Sequence, residues 1–218
     1  MLQNVPGWII LTLGFTAQLF FSLRTLFQWW KSEKAHKIVS PSAYWVLSVA
    51  GAYLMFIYGV LRDDFSIILG QFISYYIYLW NLNAKGVWER LNAIVKALLI
   101  ATPLAAVLLL LNDAQVFITN FFRNEDIPLW MVIFGSAGQI IFTLRFIYQY
   151  IYSRMKHRSA LPIGFWAISL FGSSVIIAYG LFRHDPVLIL GQSFGFVAYI
   201  RNLVIGFREK GGNNADEK

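Results

Sequence analysis

Two arginines, Arg24 and Arg145, lie within long apolar stretches of this 218-residue chain. Neither stretch contains an aspartate or a glutamate that could serve as a counter-ion. A guanidinium is costly in an apolar medium, and it binds phosphate through a planar fork of N–H donors. The pair therefore predicts a site for an anion such as phosphate. The alternative is that both side chains extend to anionic lipid headgroups at a membrane surface.

Amide and hydroxyl side chains recur at helical spacing in several apolar segments. Gln71, Ser74, Tyr78 and Asn81 are separated by three, four and three residues, which places them on one face of a helix. Lipid cannot hydrogen bond with such groups, so this face must contact protein or a water-filled cavity. We predict a ligand cavity, and hydrogen bonding between helices is the alternative. The candidate substrate-binding residues are Arg24, Arg145, Gln18, Gln139, Gln28, Gln149, Gln71, Gln192, Tyr78, Tyr199, Asn81 and Asn202.

Residues suited to catalysis or metal binding are scarce. The chain has no cysteine, and its three histidines, His36, His157 and His184, are not spaced as metal ligands. It contains no nucleophile elbow, no phosphate-binding loop and no pair of carboxylates within an apolar segment. We predict no catalytic residue, no metal and no cofactor. The sequence favours a protein that is not an enzyme.

The composition indicates that much of the chain's surface faces an apolar medium such as a lipid bilayer. Of its residues, 58% are hydrophobic and 13% are charged, whereas about 25% are charged in a typical soluble domain. An apolar helix needs roughly 20 residues to cross a bilayer, and seven segments approach that length. They are residues 7–30, 43–61, 65–82, 91–111, 129–152, 163–181 and 186–206. The polar tail 207–218 is predicted to be disordered.

The chain matches itself when it is shifted by 121 residues. Residues 14–82 align with residues 135–203 without a gap, and 23 of 69 positions are identical. Many identities are polar or glycine, so chance similarity between apolar helices does not explain them. Each repeat has three helices, so one intervening helix lets the second repeat enter from the same side as the first, as in SWEET-type transporters. The predicted fold is an all-α integral membrane protein with seven transmembrane helices in a 3+1+3 order: a repeat at 7–82, a linker helix at 91–111 and a parallel repeat at 129–206.

Basic residues between the segments predict the orientation. Eleven lysines and arginines lie in the loops and tail on one side, and three lie on the other. Because positive charge accumulates on the cytoplasmic side, we predict an N-terminus outside and a C-terminus in the cytoplasm. These clusters account for the net charge of +7, and no nucleic-acid partner is predicted. Arg24 and Arg145 lie about two turns from the cytoplasmic end, so a site that they form is expected to open toward the cytoplasm.

Three short motifs occur in both repeats. In the first repeat they are Gln18-x5-Arg24-x3-Gln28, Tyr58-Gly59-x2-Arg62-x-Asp64 and Leu69-Gly70-Gln71. In the second they are Gln139-x5-Arg145-x3-Gln149, Tyr179-Gly180-x2-Arg183-x-Asp185 and Leu190-Gly191-Gln192. They resemble the lipid A biosynthesis N-terminal domain family, which is distantly similar to the PQ-loop and SWEET proteins. The resemblance implies a multi-pass bacterial inner membrane protein of lipid A biosynthesis, connected with the lipid-A-disaccharide synthase to which some members are fused.

Three functional hypotheses follow from the residues and the resemblance. The leading one is transport or presentation of an anionic lipid, or of a lipid-linked sugar phosphate, of the cell envelope. The second is a non-transporting scaffold that recruits envelope glycosyltransferases such as lipid-A-disaccharide synthase. The third is a SWEET-like carrier of neutral sugars. The expected partners are membrane lipids, including phosphorylated ones, and envelope glycosyltransferases.

Overall fold

The computed structural model describes residues 5–61, 65–111, 129–182 and 186–216, and within these ranges the chain is helical, without strands. The described residues form seven α-helices: α1 (Gly7–Ala35), α2 (Ser42–Leu61), α3 (Phe65–Ala84), α4 (Ala93–Leu111), α5 (Leu129–Met155), α6 (Ile163–Phe182) and α7 (Pro186–Asp216). A short 3₁₀ helix, Trp88–Arg90, precedes α4. The motifs at Arg62-x-Asp64 and Arg183-x-Asp185 lie outside the described residues.

Among the described residues, three helices are long and apolar enough to cross a membrane: α1, α2 and α6. The apolar helix α4 is shorter. On α1, large apolar side chains such as Trp8, Phe15 and Leu19 point outward and are more than half exposed. An apolar outer surface of this kind indicates that the protein associates with membrane.

Each observed helix overlaps one predicted segment; α1 and α5 end five and three residues later than predicted, and the largest difference is at the C-terminus. Helix α7 continues to Asp216, ten residues beyond the predicted end of the last span. The tail predicted to be disordered is therefore helical as far as Asp216. Extending an existing helix adds a hydrogen bond for each residue fixed and avoids the cost of nucleation. The tail contains no proline that would stop it.

Prolines and left-handed residues set the ends of several helices. Helices α2 and α6 begin just after Pro41 and Pro162, whose carbonyls accept hydrogen bonds from Tyr44 N and Phe165 N at 3.0 Å each. After α1 and α5, His36 and His157 adopt φ values of 51° and 50°. This left-handed conformation ends a helix because it breaks the right-handed backbone path.

The contacts between helices close into a ring. Within the first repeat, α2 packs against both α1 and α3, and within the second, α6 packs against both α5 and α7. The repeats meet along two seams, where α1 packs against α7 and α3 packs against α5. Since α1 and α5 are equivalent in the repeat, as are α3 and α7, each seam joins a first helix to a third helix. The two seams therefore place equivalent residues opposite each other around one centre.

Helix α4 contacts the first repeat through tyrosine side chains. Pro103 lacks an N–H group, so the carbonyl of Leu99 loses its usual donor within the helix. The hydroxyl of Tyr75 donates to that carbonyl at 2.9 Å, and the hydroxyl of Tyr76 donates to the carbonyl of Ile100 at 2.9 Å. The second repeat has Phe196 and Val197 at these positions, which explains why α4 is bound to the first repeat.

We expect Tyr75→Phe to lower the free energy of unfolding by about 1–2 kcal/mol, because the carbonyl of Leu99 is left without a donor. Tyr76→Phe is the matched control. The carbonyl of Ile100 keeps a helical donor from Leu104, so this change should cost less. Denaturant titration of the purified protein in detergent measures both values. A larger loss in Tyr76→Phe than in Tyr75→Phe contradicts the role assigned to Pro103.

Candidate functional site

A cavity of about 470 Å³ lies between the two repeats. Its lining comes mainly from α1, α3, α5 and α7, with contributions from α2 and α6. The polar faces predicted on these helices thus converge on one space. Eight of the twelve residues predicted from the sequence line it: Arg24, Arg145, Gln18, Gln139, Gln71, Gln192, Tyr78 and Tyr199.

Arg24 is 5% exposed and is held by one hydrogen bond and by aromatic rings. Its Nη1 donates to the hydroxyl of Ser48 at 2.8 Å, and Ser48 in turn donates to the carbonyl of Tyr44 at 2.6 Å. The guanidinium carbon lies 4.4 Å from the ring centre of Phe21. Its Nε has no hydrogen-bond partner among the described residues. The side chain is therefore positioned by Ser48 and Phe21 and retains donor capacity.

Arg145 is 4% exposed, and among the described residues its guanidinium is contacted by aromatic rings. Its guanidinium carbon lies 3.2 Å from the ring centre of Phe142 and 4.5 Å from that of Phe146. Both Nε and Nη1 lack a partner in the described part of the chain. Ser169, the equivalent of Ser48, donates to the carbonyl of Phe165 at 2.6 Å and makes no hydrogen bond with Arg145. The second arginine thus has more unused donors than the first.

The two guanidinium groups are close to one another and have no acidic partner in the described lining of the cavity. Both lie over the ring of Phe146, at 5.5 Å for Arg24 and 4.5 Å for Arg145, so their central carbons are at most about 10 Å apart. The described lining contains no aspartate or glutamate. An aromatic ring attracts a cation through its quadrupole, but it does not neutralise the positive charge as a carboxylate does. The cavity therefore contains two concentrated positive charges that a bound anion would neutralise.

The other four predicted residues form two buried amide pairs, one at each seam. The amides of Gln28 and Asn202 exchange hydrogen bonds at 2.8 and 3.1 Å. Those of Gln149 and Asn81 exchange hydrogen bonds at 2.9 and 3.1 Å. All four side chains are 0% exposed. These four side chains therefore form hydrogen bonds between helices, which is the alternative to ligand binding given above.

The amide pairs also mark one end of the cavity. The lining residues of α1 run from Leu11 to Leu26, and those of α3 run from Gly70 to Tyr78. The amide pairs come next along both helices, at Gln28 and Asn81. The cavity thus extends toward the N-terminal ends of α1 and α3, which are the predicted outer ends. Buried hydrogen bonds at both seams therefore lie between the arginines and the end at which the arginine site is expected to open.

Beyond the amide pairs, the two seams differ in chemistry. At the α1–α7 seam, the guanidinium of Arg201 forms an ion pair with Glu33, with Nη2 donating to Oε2 at 3.0 Å. Hydrogen bonds from Arg201 and from the indole N–H of Trp29 lower the pKa of Glu33 to about 2. At the α3–α5 seam, the equivalent place has an edge-to-face contact between Trp80 and Tyr150, with ring centres 5.0 Å apart. Glu33 thus forms an ion pair with Arg201 and is not among the residues that line the cavity.

Several residues that shape the site escaped the sequence analysis. Ser48 anchors Arg24, Phe21 and Phe142 stack on the arginines, and Phe146 contacts both. The repeat alignment contained a signal for some of them, since Ser48 matches Ser169 and Phe21 matches Phe142. Phe146 is aligned with Thr25, so identity between the repeats gave no indication of its role.

Comparison with known proteins gives both a family and named relatives. The model of the lipid A biosynthesis N-terminal domain family matches residues 13–83 and, a second time, residues 134–204. The chain is 30% identical over 216 residues to the lipid-A-disaccharide synthase of Chlamydia pneumoniae, covering 96% of this chain and 35% of that protein. It is 31% identical over 217 residues to the synthase of Chlamydia muridarum, covering 95% and 35%. No solved structure matches.

The matches cover most of this chain but only part of each relative. The chain spans about a third of the length of the curated relatives that it matches. The two stretches matched by the family model together cover more than half of this chain, and each contains one arginine of the cavity. On this evidence, the chain belongs to the lipid A biosynthesis N-terminal domain family.

Proposed function

We propose that this protein binds the phosphate-bearing head of an envelope lipid, or of a lipid-linked sugar, in the central cavity and carries or presents it during lipid A biosynthesis. The observation that supports this most directly is the pair of buried arginines without an acidic partner in the described lining. The family supplies the connection with lipid A. The arginines supply an independent reason for a phosphate.

The cavity suits a head group while the acyl chains stay outside. Its volume of about 470 Å³ falls within the roughly 300–1,000 Å³ of small-molecule sites. A guanidinium binds a phosphate through parallel N–H donors, and such charge-assisted hydrogen bonds are about twice as strong as neutral ones. Oε1 of Gln71 is buried without a partner among the described residues and can accept a hydrogen bond from a hydroxyl. This combination favours a head that carries phosphate and hydroxyl groups.

The proposed setting is the bacterial inner membrane. In this arrangement all seven helices cross the bilayer, with the N-terminus outside, the C-terminus in the cytoplasm, and α4 linking two parallel three-helix repeats. Arg24 and Arg145 then lie at the same depth, and the cavity opens to the outer side. A lipid head can enter there while its chains remain in the bilayer. A carrier must also open the opposite end, which requires both amide pairs to separate.

A scaffold for envelope glycosyltransferases is the second candidate. It is favoured by one observation: the relatives are named as synthases, and this chain matches only about a third of their length. A domain that occurs next to an enzyme can position that enzyme without binding its substrate. A scaffold needs no ligand in the cavity, so a binding measurement separates the two candidates.

We expect Arg24→Gln and Arg145→Gln each to weaken binding of phosphatidic acid by about 10- to 100-fold. The reason is that a hydrogen bond to a charged group contributes about 1.5–3 kcal/mol. Arg→Lys should restore part of the affinity, because the charge returns without the fork. Titration of the detergent-solubilised protein, followed by native mass spectrometry or by fluorescence, measures the affinity.

Arg201→Gln is the matched control for this experiment. It makes the same change in charge, but Arg201 lies outside the cavity lining and is paired with Glu33. Its lipid affinity should stay within about twofold of the parent protein. Removing an uncompensated buried charge does not strand another charge, so both cavity variants should fold. Unchanged binding in both folded cavity variants, or no binding by the parent protein, contradicts the proposal and favours the scaffold.

A further inference from the structure

We infer that the head group bound in the cavity carries two negative charges, as a phosphomonoester or a diphosphate does, rather than the single charge of a phosphodiester. This inference rests on the proposed function, since it specifies the chemistry of the same ligand. It comes from the balance of charge in the cavity and from the donors that the protein leaves unused.

The charge balance is the first step. Arg24 and Arg145 are 5% and 4% exposed, and both are in contact with the ring of Phe146. The described lining contributes no carboxylate. Glu33 lies nine residues beyond Arg24, about 13 Å along the helix, and is bound to Arg201. The cavity therefore holds two positive charges that no residue of the described lining compensates.

The unused donors are the second step. Nε of Arg24, and Nε and Nη1 of Arg145, have no partner in the described part of the chain. Both arginines line the same cavity, so an anion bound there can accept hydrogen bonds from both. A singly charged diester would leave one guanidinium without a counter-ion in an apolar site, which is costly. A doubly charged head compensates both.

The ionisation of the ligand gives the inference a measurable consequence. A phosphomonoester loses its second proton at a pH of about 6, whereas a phosphodiester has no second proton to lose. The titratable groups that face the arginines are Tyr44 and Tyr58 on α2, Tyr78 on α3 and Tyr199 on α7. The described lining has no histidine, aspartate or glutamate, the side chains that ordinarily titrate between about pH 4 and pH 7. A change in affinity between pH 5 and pH 8 therefore reports on the ligand.

The test compares two lipids that have the same chains. Dioleoyl phosphatidic acid is a phosphomonoester, and dioleoyl phosphatidylmethanol is the corresponding diester. At pH 8 we expect the monoester to bind the full-length protein at least about tenfold more tightly, since one more charge-assisted contact is worth at least that factor. At pH 5 this preference should largely disappear. In Arg145→Gln, the preference at pH 8 should also be lost, while any remaining affinity for the diester persists.

The parent protein alone decides the comparison if a variant does not fold. Equal affinities for the two lipids at pH 8 overturn the inference and leave the proposed function intact. Failure of both lipids to bind overturns both. Glycerol 3-phosphate, a soluble phosphomonoester, identifies the source of the head group. If it binds as tightly as phosphatidic acid, the charge preference holds, but a lipid ligand is contradicted.

Discussion

In the Asn81→Leu variant, we expect the free energy of unfolding to fall by about 2–4 kcal/mol. The Asn81 amide is 0% exposed, exchanges two hydrogen bonds with Gln149 and accepts one from Ser159 at 2.7 Å. Leucine removes all three, so Oε1 of Gln149 and the Ser159 hydroxyl lose these partners. Each buried polar group left without a partner costs about 1–3 kcal/mol.

The coupling between the two amides is the sharper measurement. The double variant Asn81→Leu/Gln149→Leu removes both members of the pair and should lose at least about 1 kcal/mol less than the sum of the single variants. Asn83→Leu is the matched control, since Asn83 lies two residues further along α3 with an exposed side chain. It should change stability by less than about 0.5 kcal/mol. Additive losses in the cycle would show that the pair does not join the repeats.

The second large effect is expected in Gly172→Leu, where α6 crosses α5. A Cβ atom at Gly172 would lie 3.1 Å from both the N and the Cα of Phe142. These are backbone atoms and cannot move aside by a change of rotamer, so the helices must separate. Overpacking of this kind typically costs about 1–3 kcal/mol, and the bulk of leucine should bring the loss to about 3 kcal/mol or more. Phe142 is also the ring beneath Arg145, so phosphatidic acid binding should weaken as well.

Alanine at two glycines provides the control for this prediction. Gly172→Ala introduces only the crowded Cβ and should destabilise the protein. Gly191→Ala in α7 adds a Cβ that meets nothing within 4 Å, so the higher helix propensity of alanine should make it neutral or stabilising by roughly 0.5–1 kcal/mol. Thermal and denaturant unfolding of the three variants gives the comparison. Equal stability of Gly172→Leu and the parent protein would refute close contact between these helices.

The sequence was sufficient to predict the helices and eight of the residues that line the cavity. Hydropathy locates seven segments, and the 121-residue repeat makes Arg24 and Arg145 equivalent. Equivalent places on both sides of one centre are what bring the two guanidinium groups into one cavity. The same argument placed Gln18, Gln71 and Tyr78 there, together with their counterparts in the second repeat.

Helical spacing could not predict which amide side chains line the cavity and which pair between helices. Gln28 and Gln71 are both glutamines on polar faces, yet Gln28 bonds to Asn202 and Gln71 lines the cavity. The partner of Gln28 lies 174 residues away, so the difference depends on the order of the helices around the ring. A periodic pattern identifies a face, but the neighbour of that face is set by tertiary packing.

The position of the amide pairs relative to the arginines could not be predicted for a related reason. Counting turns placed the arginines near the predicted cytoplasmic end of their helices, which suggested access from that side. The seams close between the arginines and that end, because the amide pairs are only about one turn further along α1 and α3. The contact of α4 with the first repeat could not be predicted either. It depends on the Tyr75 hydroxyl, which donates to the Leu99 carbonyl that Pro103 leaves without a donor.

The unequal seams bear on how the duplicated halves recognise each other. Two copies of the first half, joined by the same helix contacts, would set Glu33 against Trp80 and leave the carboxylate without its guanidinium. Two copies of the second half would set Arg154, the counterpart of Glu33, against Arg201, and like charges repel. Only the mixed pairing gives one ion pair and one aromatic pair. The two halves of the chain are thus complementary at the seams, because each half offers the other contacts that a copy of itself would lack.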